Sequence, residues 1–149
     1  MASDGLELML ADYSSDDTFR LEGVVRSSGF SGRGHAWFST SMVAAFIADA
    51  SQFPLPTGHD PELSGGYRSL DGGPPDERLG VRTRQIDNLG HLGVTVHLAT
   101  AVDVRRPKVL HEVTVELLTG YQELGEFCES LRRSLDARGG MAVLPAVAR

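Results

Sequence analysis

The chain is poor in cysteine and in lysine, and each shortage excludes a class of protein. Cys128 is the only cysteine in 149 residues, so no disulfide can form within the chain. Such cysteine usage is typical of a reducing compartment, and we predict a cytoplasmic protein. Lys108 is the only lysine, and the arginines form no run longer than two. Because nucleic-acid binders neutralise phosphates with a basic face, the formal charge of -6 argues against a nucleic-acid partner.

Long hydrophobic runs are also missing. No stretch approaches the ~20 consecutive apolar residues that a membrane span requires. Residues 1–4 have neither the basic region nor the apolar segment of a signal peptide, and we predict no membrane partner. A length of 149 residues is typical of one domain. We therefore expect a single α+β domain over 1–149, with an ordered core at about 6–137 and a frayed tail at 138–149.

Glycine is plentiful, and the apolar residues alternate with polar ones over most of the chain. The 17 glycines favour turns, and therefore strands rather than a helical bundle. Alternation with a period of two is typical of strands with one buried face. The pattern predicts strands at 6–10, 19–25, 35–38, 63–70, 79–84, 92–102 and 109–117.

Two segments have the period of a helix instead. The first carries an apolar stripe from Met42 to Ala50 and the second from Tyr121 to Leu135. A serine or threonine at 39–41 is expected to cap the first helix. The order β-β-β-α-β-β-β-β-α predicts an antiparallel sheet of about six or seven strands with the two helices on one face.

The pattern also predicts which side chains form the core. The longest alternating run, 92–102, is expected to be a central or near-central strand. Trp37 is expected to anchor the core, and Cys128 to be a small buried hydrophobe on the second helix. The residues expected to be nearly fully buried are Phe46, Ile47, Val94, Val96, Leu98, Phe127 and Leu131.

No motif in the chain predicts a catalytic, cofactor-binding or metal-binding residue. His111 and Glu112 begin like a zinc-protease motif, but Val115 stands where the second histidine is required. Of the histidines near the last predicted hairpin, His91 is expected at a turn, His97 on a solvated strand face and His111 packed against the core. The sequence favours a protein without enzymatic activity but does not decide the matter, and it predicts no cofactor.

Two sets of polar residues are candidates for contact with a partner. The helices can cover only one face of the predicted sheet, so residues out of phase with the core should be open to water or to a protein. That set is Arg82, Arg84, Thr95, His97, Glu112, Thr114 and Glu116. The second set surrounds a long Pro- and Gly-rich loop and comprises Asp60, Glu62, Asp71, Asp76 and Glu77. Because the chain is acidic, a basic protein partner would be attracted at long range.

Three local patterns resemble a known family. Trp37 and Phe38 lead into a helix that contains Phe46, segment 90–94 (Gly-His-Leu-Gly-Val) opens a long strand, and segment 120–124 (Gly-Tyr-Gln-Glu-Leu) opens the last helix. Over roughly 6–135 the chain resembles a poorly characterised bacterial domain family of unknown function. It is also similar in pattern to WapI-type immunity proteins, which neutralise bacterial contact-dependent toxins by binding them. The resemblance implies a toxin domain as partner and carries over no catalytic residues.

Three functions are compatible with these observations. The first is a non-enzymatic protein-binding domain of the immunity type. The second is a small-molecule-binding domain or an enzyme that uses a pocket between the sheet and the helices. The third is a structural subunit of a larger complex, and a homo-oligomer is compatible with all three. A deep polar pocket would favour the second function, and a shallow patch on an open sheet face would favour the first or the third.

Overall fold

The computed structural model describes residues 3–56, 58–67, 76–103 and 106–147, with the backbone alone for 101–103 and 106–110. Within these residues the chain forms strands and helices in the order β-β-β-α-β-β-β-β-α-β. The elements are β1 (Gly5–Ala11), β2 (Thr18–Ser27), β3 (Phe30–Ser39), α1 (Thr40–Ala50), β4 (Glu62–Tyr67), β5 (Asp76–Gln85), β6 (His91–Asp103), β7 (Arg106–Gly120), α2 (Tyr121–Ala137) and β8 (Gly140–Pro145).

The strands form two antiparallel sheets of four strands each. The first sheet has the order β3-β2-β1-β8 and the second the order β4-β5-β6-β7. In the first sheet Leu8 pairs with Gly23 on one side and with Ala142 on the other. In the second sheet Val96 pairs with Val81 and with Val115. The alternation along each strand places these side chains on one face of each sheet, so each sheet has an apolar inner face.

The two inner faces pack against each other around one core. A Cβ added at Gly23 in β2 would lie 3.1 Å from a methyl of Leu98 in β6. A Cβ at Gly34 in β3 would lie 2.8 Å from the carbonyl oxygen of Arg78 in β5, so this position needs a residue without a side chain. β3 thus runs close across the second sheet, and the buried apolar residues of both sheets and both helices form one cluster.

Each helix connects one sheet to the other. α1 lies between β3 and β4 in the chain and packs on both, and α2 lies between β7 and β8 and packs on both. The side chain of Ser39 caps α1 and accepts a hydrogen bond of 3.3 Å from the amide of Met42, as predicted. The amide of Leu55 donates to the phenol of Tyr121 at 3.1 Å and so ties the loop after α1 to α2.

The predicted single sheet of six or seven strands is wrong, because the strands divide into two sheets that cover one another. Each sheet has an apolar face to bury, and two short helices cannot cover both faces. The α+β class, the antiparallel pairing and the internal position of β6 are confirmed. The predicted core set is confirmed as well, since each of its seven members is at most 8% exposed.

Two further expectations are corrected by the structure. The tail expected to fray contains β8, which pairs with β1 along its whole length. Trp37 is 52% exposed and lies on the outer face of the first sheet rather than in the core, because Phe38 takes the inner position of β3. Cys128 is buried as predicted.

Candidate binding face on the second sheet

The outer face of β5, β6 and β7 carries the polar residues that the sequence places out of phase with the core. Arg82 pairs with Thr95, which pairs on its other side with Glu116. His97 pairs with Thr114, and Arg84 and Glu112 lie on the same face one alternation away. We call this surface the polar face and define it by Arg82, Arg84, Thr95, His97, Glu112, Thr114 and Glu116. The alternation of polar and apolar residues in the sequence correctly predicts that these residues share one face of the sheet.

A shallow depression of about 310 Å³ lies in the polar face. Small residues of neighbouring strands and charged side chains line it together. The residues that line it are Glu62, Glu77, Gly80, Val81, Arg82, Thr95, His97 and Thr114. It lies on the outside of the sheet, away from the space between the sheet and the helices.

Gly80 allows Glu77 to reach the centre of this depression. The two residues lie on the same strand, and a Cβ at Gly80 would overlap the carboxylate of Glu77. Because position 80 has no side chain, Glu77 can lie across β5 and meet His97 on β6. The hydroxyl of Ser64 on β4 donates to the other carboxylate oxygen of Glu77 and fixes its orientation.

His97 lies between two carboxylates. Its Nδ1 atom is 2.8 Å from Oε1 of Glu77, and its Nε2 atom is 3.4 Å from Oε1 of Glu112. The His97 side chain is 25% exposed, whereas that of Glu112 is 54% exposed. The ring is therefore held mainly by Glu77, and Glu112 approaches it from the solvent side.

The other carboxylates of the polar face are paired with arginines. Arg82 donates from two nitrogens to one oxygen of Glu62, and Arg84 donates to Glu116. The hydrogen bond that Arg82 donates to Glu62, together with the negative charge of Glu62, raises the pKa of the Arg82 guanidinium. Four carboxylates lie around His97, and two of them, Glu62 and Glu116, are paired with arginines. The net charge of this group of side chains therefore depends on whether His97 is protonated.

The structure divides the second set of predicted contact residues. Glu62 and Glu77 join the polar face and line its depression. Asp76 instead pairs at 2.6 Å with Arg78, whose buried guanidinium also lies over the ring of Tyr67. Asp60 is exposed in the loop before β4, and Asp71 lies outside the described residues.

The other histidines of β6 and β7, His91 and His111, are not part of this network. His91 begins β6 directly after a turn, and its Nδ1 atom is 2.6 Å from Oδ2 of Asp87 in that turn. That hydrogen bond, with one from the amide of Leu89, lowers the pKa of the Asp87 carboxyl. His111 is expected to pack against the core, but it is exposed, whereas Val113 and Val115, which are in phase with it on β7, do pack against the core.

Sequence reasoning missed the parts of the site that depend on pairing between strands. Ser64 and Gly80 were not among the predicted contact residues, and nothing in the sequence links Glu77 to His97. Gly80 is in phase with Arg82, so alternation alone could have placed it on the polar face. Its role depends on the bulge near Gly65 and Gly66, which lies beside Glu77 and which no sequence pattern predicts.

Among the residues whose side chains are described, no group of three or more histidine, cysteine, aspartate or glutamate side chains is placed to hold a metal ion. In the same part of the chain, neither helix is long and apolar enough to cross a membrane. Comparison of the chain with protein-family models, with curated proteins and with solved structures finds no match.

Proposed function

We propose that this chain is a protein-binding domain without enzymatic activity, and that it binds a basic partner through the polar face. The single observation that carries the proposal is the character of that face. Together with Glu62 and Glu77 it is an open, shallow surface with four carboxylates and two arginines, rather than a deep enclosed pocket. Shallow surfaces of this kind suit contact with another protein better than capture of a small molecule.

Charge supports a basic partner. Glu77 and Glu112 both approach the imidazole of His97, and Glu112 is half exposed. The whole chain carries a formal charge of -6, which would accelerate the approach of a cationic protein. The hydroxyls of Thr95 and Thr114 add polar groups beside these carboxylates.

The immunity type is the form of this function that the resemblance implies. An immunity protein binds its toxin domain and needs no catalytic group of its own. In this proposal the partner is a toxin domain with a basic surface that docks on the polar face, and the neutralised toxin is blocked by the contact.

The proposal predicts that a neighbouring gene encodes a toxin domain, and that domain is the ligand for the test. We expect the purified chain to bind that domain, and co-expression to protect cells from it. Reversal of two charges, Glu112→Lys with Glu116→Lys, should weaken binding at least tenfold in calorimetry, because like charges would then face each other. The fold should survive, since exposed charges contribute about 1 kcal/mol or less to stability.

A matched control reverses charge on the opposite side of the molecule. Glu7 and Glu22 lie on the outer face of the first sheet, so the change of both to lysine alters the net charge equally without touching the polar face. This variant should bind nearly as well as the natural chain. If both variants weaken binding equally, the effect comes from net charge alone. If Glu112→Lys with Glu116→Lys binds as tightly as the natural chain, the contact lies elsewhere on the molecule. A biosynthetic operon around the gene would contradict the immunity type.

A further inference from the structure

Both ring nitrogens of His97 face carboxylate oxygens. Nδ1 is 2.8 Å from Glu77, and Nε2 is 3.4 Å from Glu112. An ionised carboxylate only accepts hydrogen bonds, whereas a neutral imidazole has one N–H and one lone pair. The neutral ring can therefore donate to only one of the two glutamates, and its lone pair would face the other. The protonated ring has two N–H groups and can donate to both.

The two glutamates are not held equally. Glu77 also accepts a hydrogen bond from Ser64 and is kept in place by the open position at Gly80. Glu112 is the more distant and more exposed of the two. A neutral ring that keeps its N–H on Glu77 leaves Glu112 without a hydrogen bond from His97.

The other charged groups around His97 are paired with one another. The interaction of Glu77 and Glu112 with the ring therefore depends mainly on the protonation of His97. On β4, Glu62 is paired with Arg82 of β5, and on β7, Glu116 is paired with Arg84 of β5. These pairs are the charged groups of the described strands that flank Glu77 and Glu112 on the polar face. Further along β5, the buried Arg78 is paired with Asp76.

We propose that protonation of His97 closes the polar face to a basic partner, and that loss of this proton opens it. The inference rests on the proposed function and adds its regulation. The protonated ring can donate to Glu77 and Glu112 together across β5, β6 and β7, and it offsets one of their two negative charges. The neutral ring frees Glu112 and removes one positive charge, so an incoming arginine or lysine meets a more negative surface. Histidine is the side chain that most often serves as a proton-dependent switch in proteins.

The test uses a hexa-arginine peptide as the basic probe and the full chain as the receptor. Its dissociation constant is measured at about pH 5.5 and about pH 8 at constant ionic strength, a range that spans imidazole titration. We expect binding about fivefold to tenfold weaker at the lower pH, the effect of one or two surface charge interactions. In His97→Gln, which cannot be protonated, the affinity should be nearly the same at both pH values.

A matched control and a second measurement keep the outcome clear. His91 also lies within hydrogen-bond distance of a carboxylate but is outside the polar face, so His91→Gln should keep the pH dependence of the natural chain. Carbon-13 NMR of the chain alone should show the Glu112 carboxyl signal shifting as His97 titrates. Equal affinity at both pH values, a pH dependence that persists in His97→Gln, or no binding of hexa-arginine would each overturn the inference. Binding of the toxin domain decides the proposed function separately.

Discussion

At the scale of single residues, Gly80 controls the position of a carboxylate rather than the path of the backbone. We expect Gly80→Ala to displace Glu77 from His97, because the added methyl would occupy the space of that carboxylate. The side chain of Glu77 is flexible at its end, so stability should change by about 1 kcal/mol or less. Proton and nitrogen NMR of the His97 ring would report the lost hydrogen bond.

The control for this substitution is another glycine with free space around it. Gly125 lies on the exposed side of α2, and a Cβ there would meet no atom within 4 Å. Gly125→Ala should stabilise the chain by roughly 0.5–1 kcal/mol through helix propensity and leave the His97 signals unchanged. If Gly80→Ala also leaves them unchanged, Gly80 does not position Glu77.

Cys128 gives a second prediction at this scale. Burial on the inner side of α2 raises the pKa of its thiol, so little thiolate forms near neutral pH. We expect Ellman's reagent to react with the folded chain far more slowly than with the chain in denaturant. Equal rates in the two conditions would mean that α2 opens readily or does not pack as described.

At the scale of elements, α2 is held by one apolar stripe, and Phe127 is at its centre. The side chain is 1% exposed and lies within the shared core. Phe127→Ala should cost about 3–5 kcal/mol in urea unfolding, the usual cost of removing a buried aromatic ring. Phe30→Ala is the control, because Phe30 is 67% exposed, and its loss should cost less than about 1 kcal/mol.

β8 provides a sharper test of the element that sequence patterns did not predict. Leu144 is fully buried in β8, so Leu144→Ala should cost about 2–5 kcal/mol in urea unfolding. Val143 is its neighbour on the outer face and is 47% exposed, so Val143→Ala should cost less than about 1 kcal/mol. A frayed tail would make both substitutions nearly neutral.

The elements that sequence patterns predict are those with clear alternation. β2, β6 and most of β7 follow strict period two, and their positions agree with the prediction. β8 was missed because Met141, Ala142, Val143 and Leu144 are all apolar, which hides the alternation of inner and outer positions. β3 was predicted too short, because glycines such as Gly34 read as a loop but are required where β3 crosses the second sheet closely.

At the scale of the whole molecule, the predicted single sheet was wrong because the sequence pattern contains no information on how the strands are arranged in space. Alternation shows which side chains share a face of one strand, but it does not show which strands share a sheet. It could therefore place His97 with Arg82 and Glu112 on a common face, but it could not show that Glu77 reaches the same point. The division into two sheets follows from covering two apolar faces, which is a property of the assembled chain.

The pairing of β8 with β1 also has a consequence for chain connectivity. Gly5 is the register partner of Pro145, so the first and last strands of the fold run side by side. The order in which the elements are linked can then be changed while every strand keeps its neighbours. A chain whose first and last strands are joined by a short flexible linker, and which is opened at the turn between β5 and β6, should reach the same native structure. It should also fold by a different route, because the contact between β1 and β8 would become local in sequence.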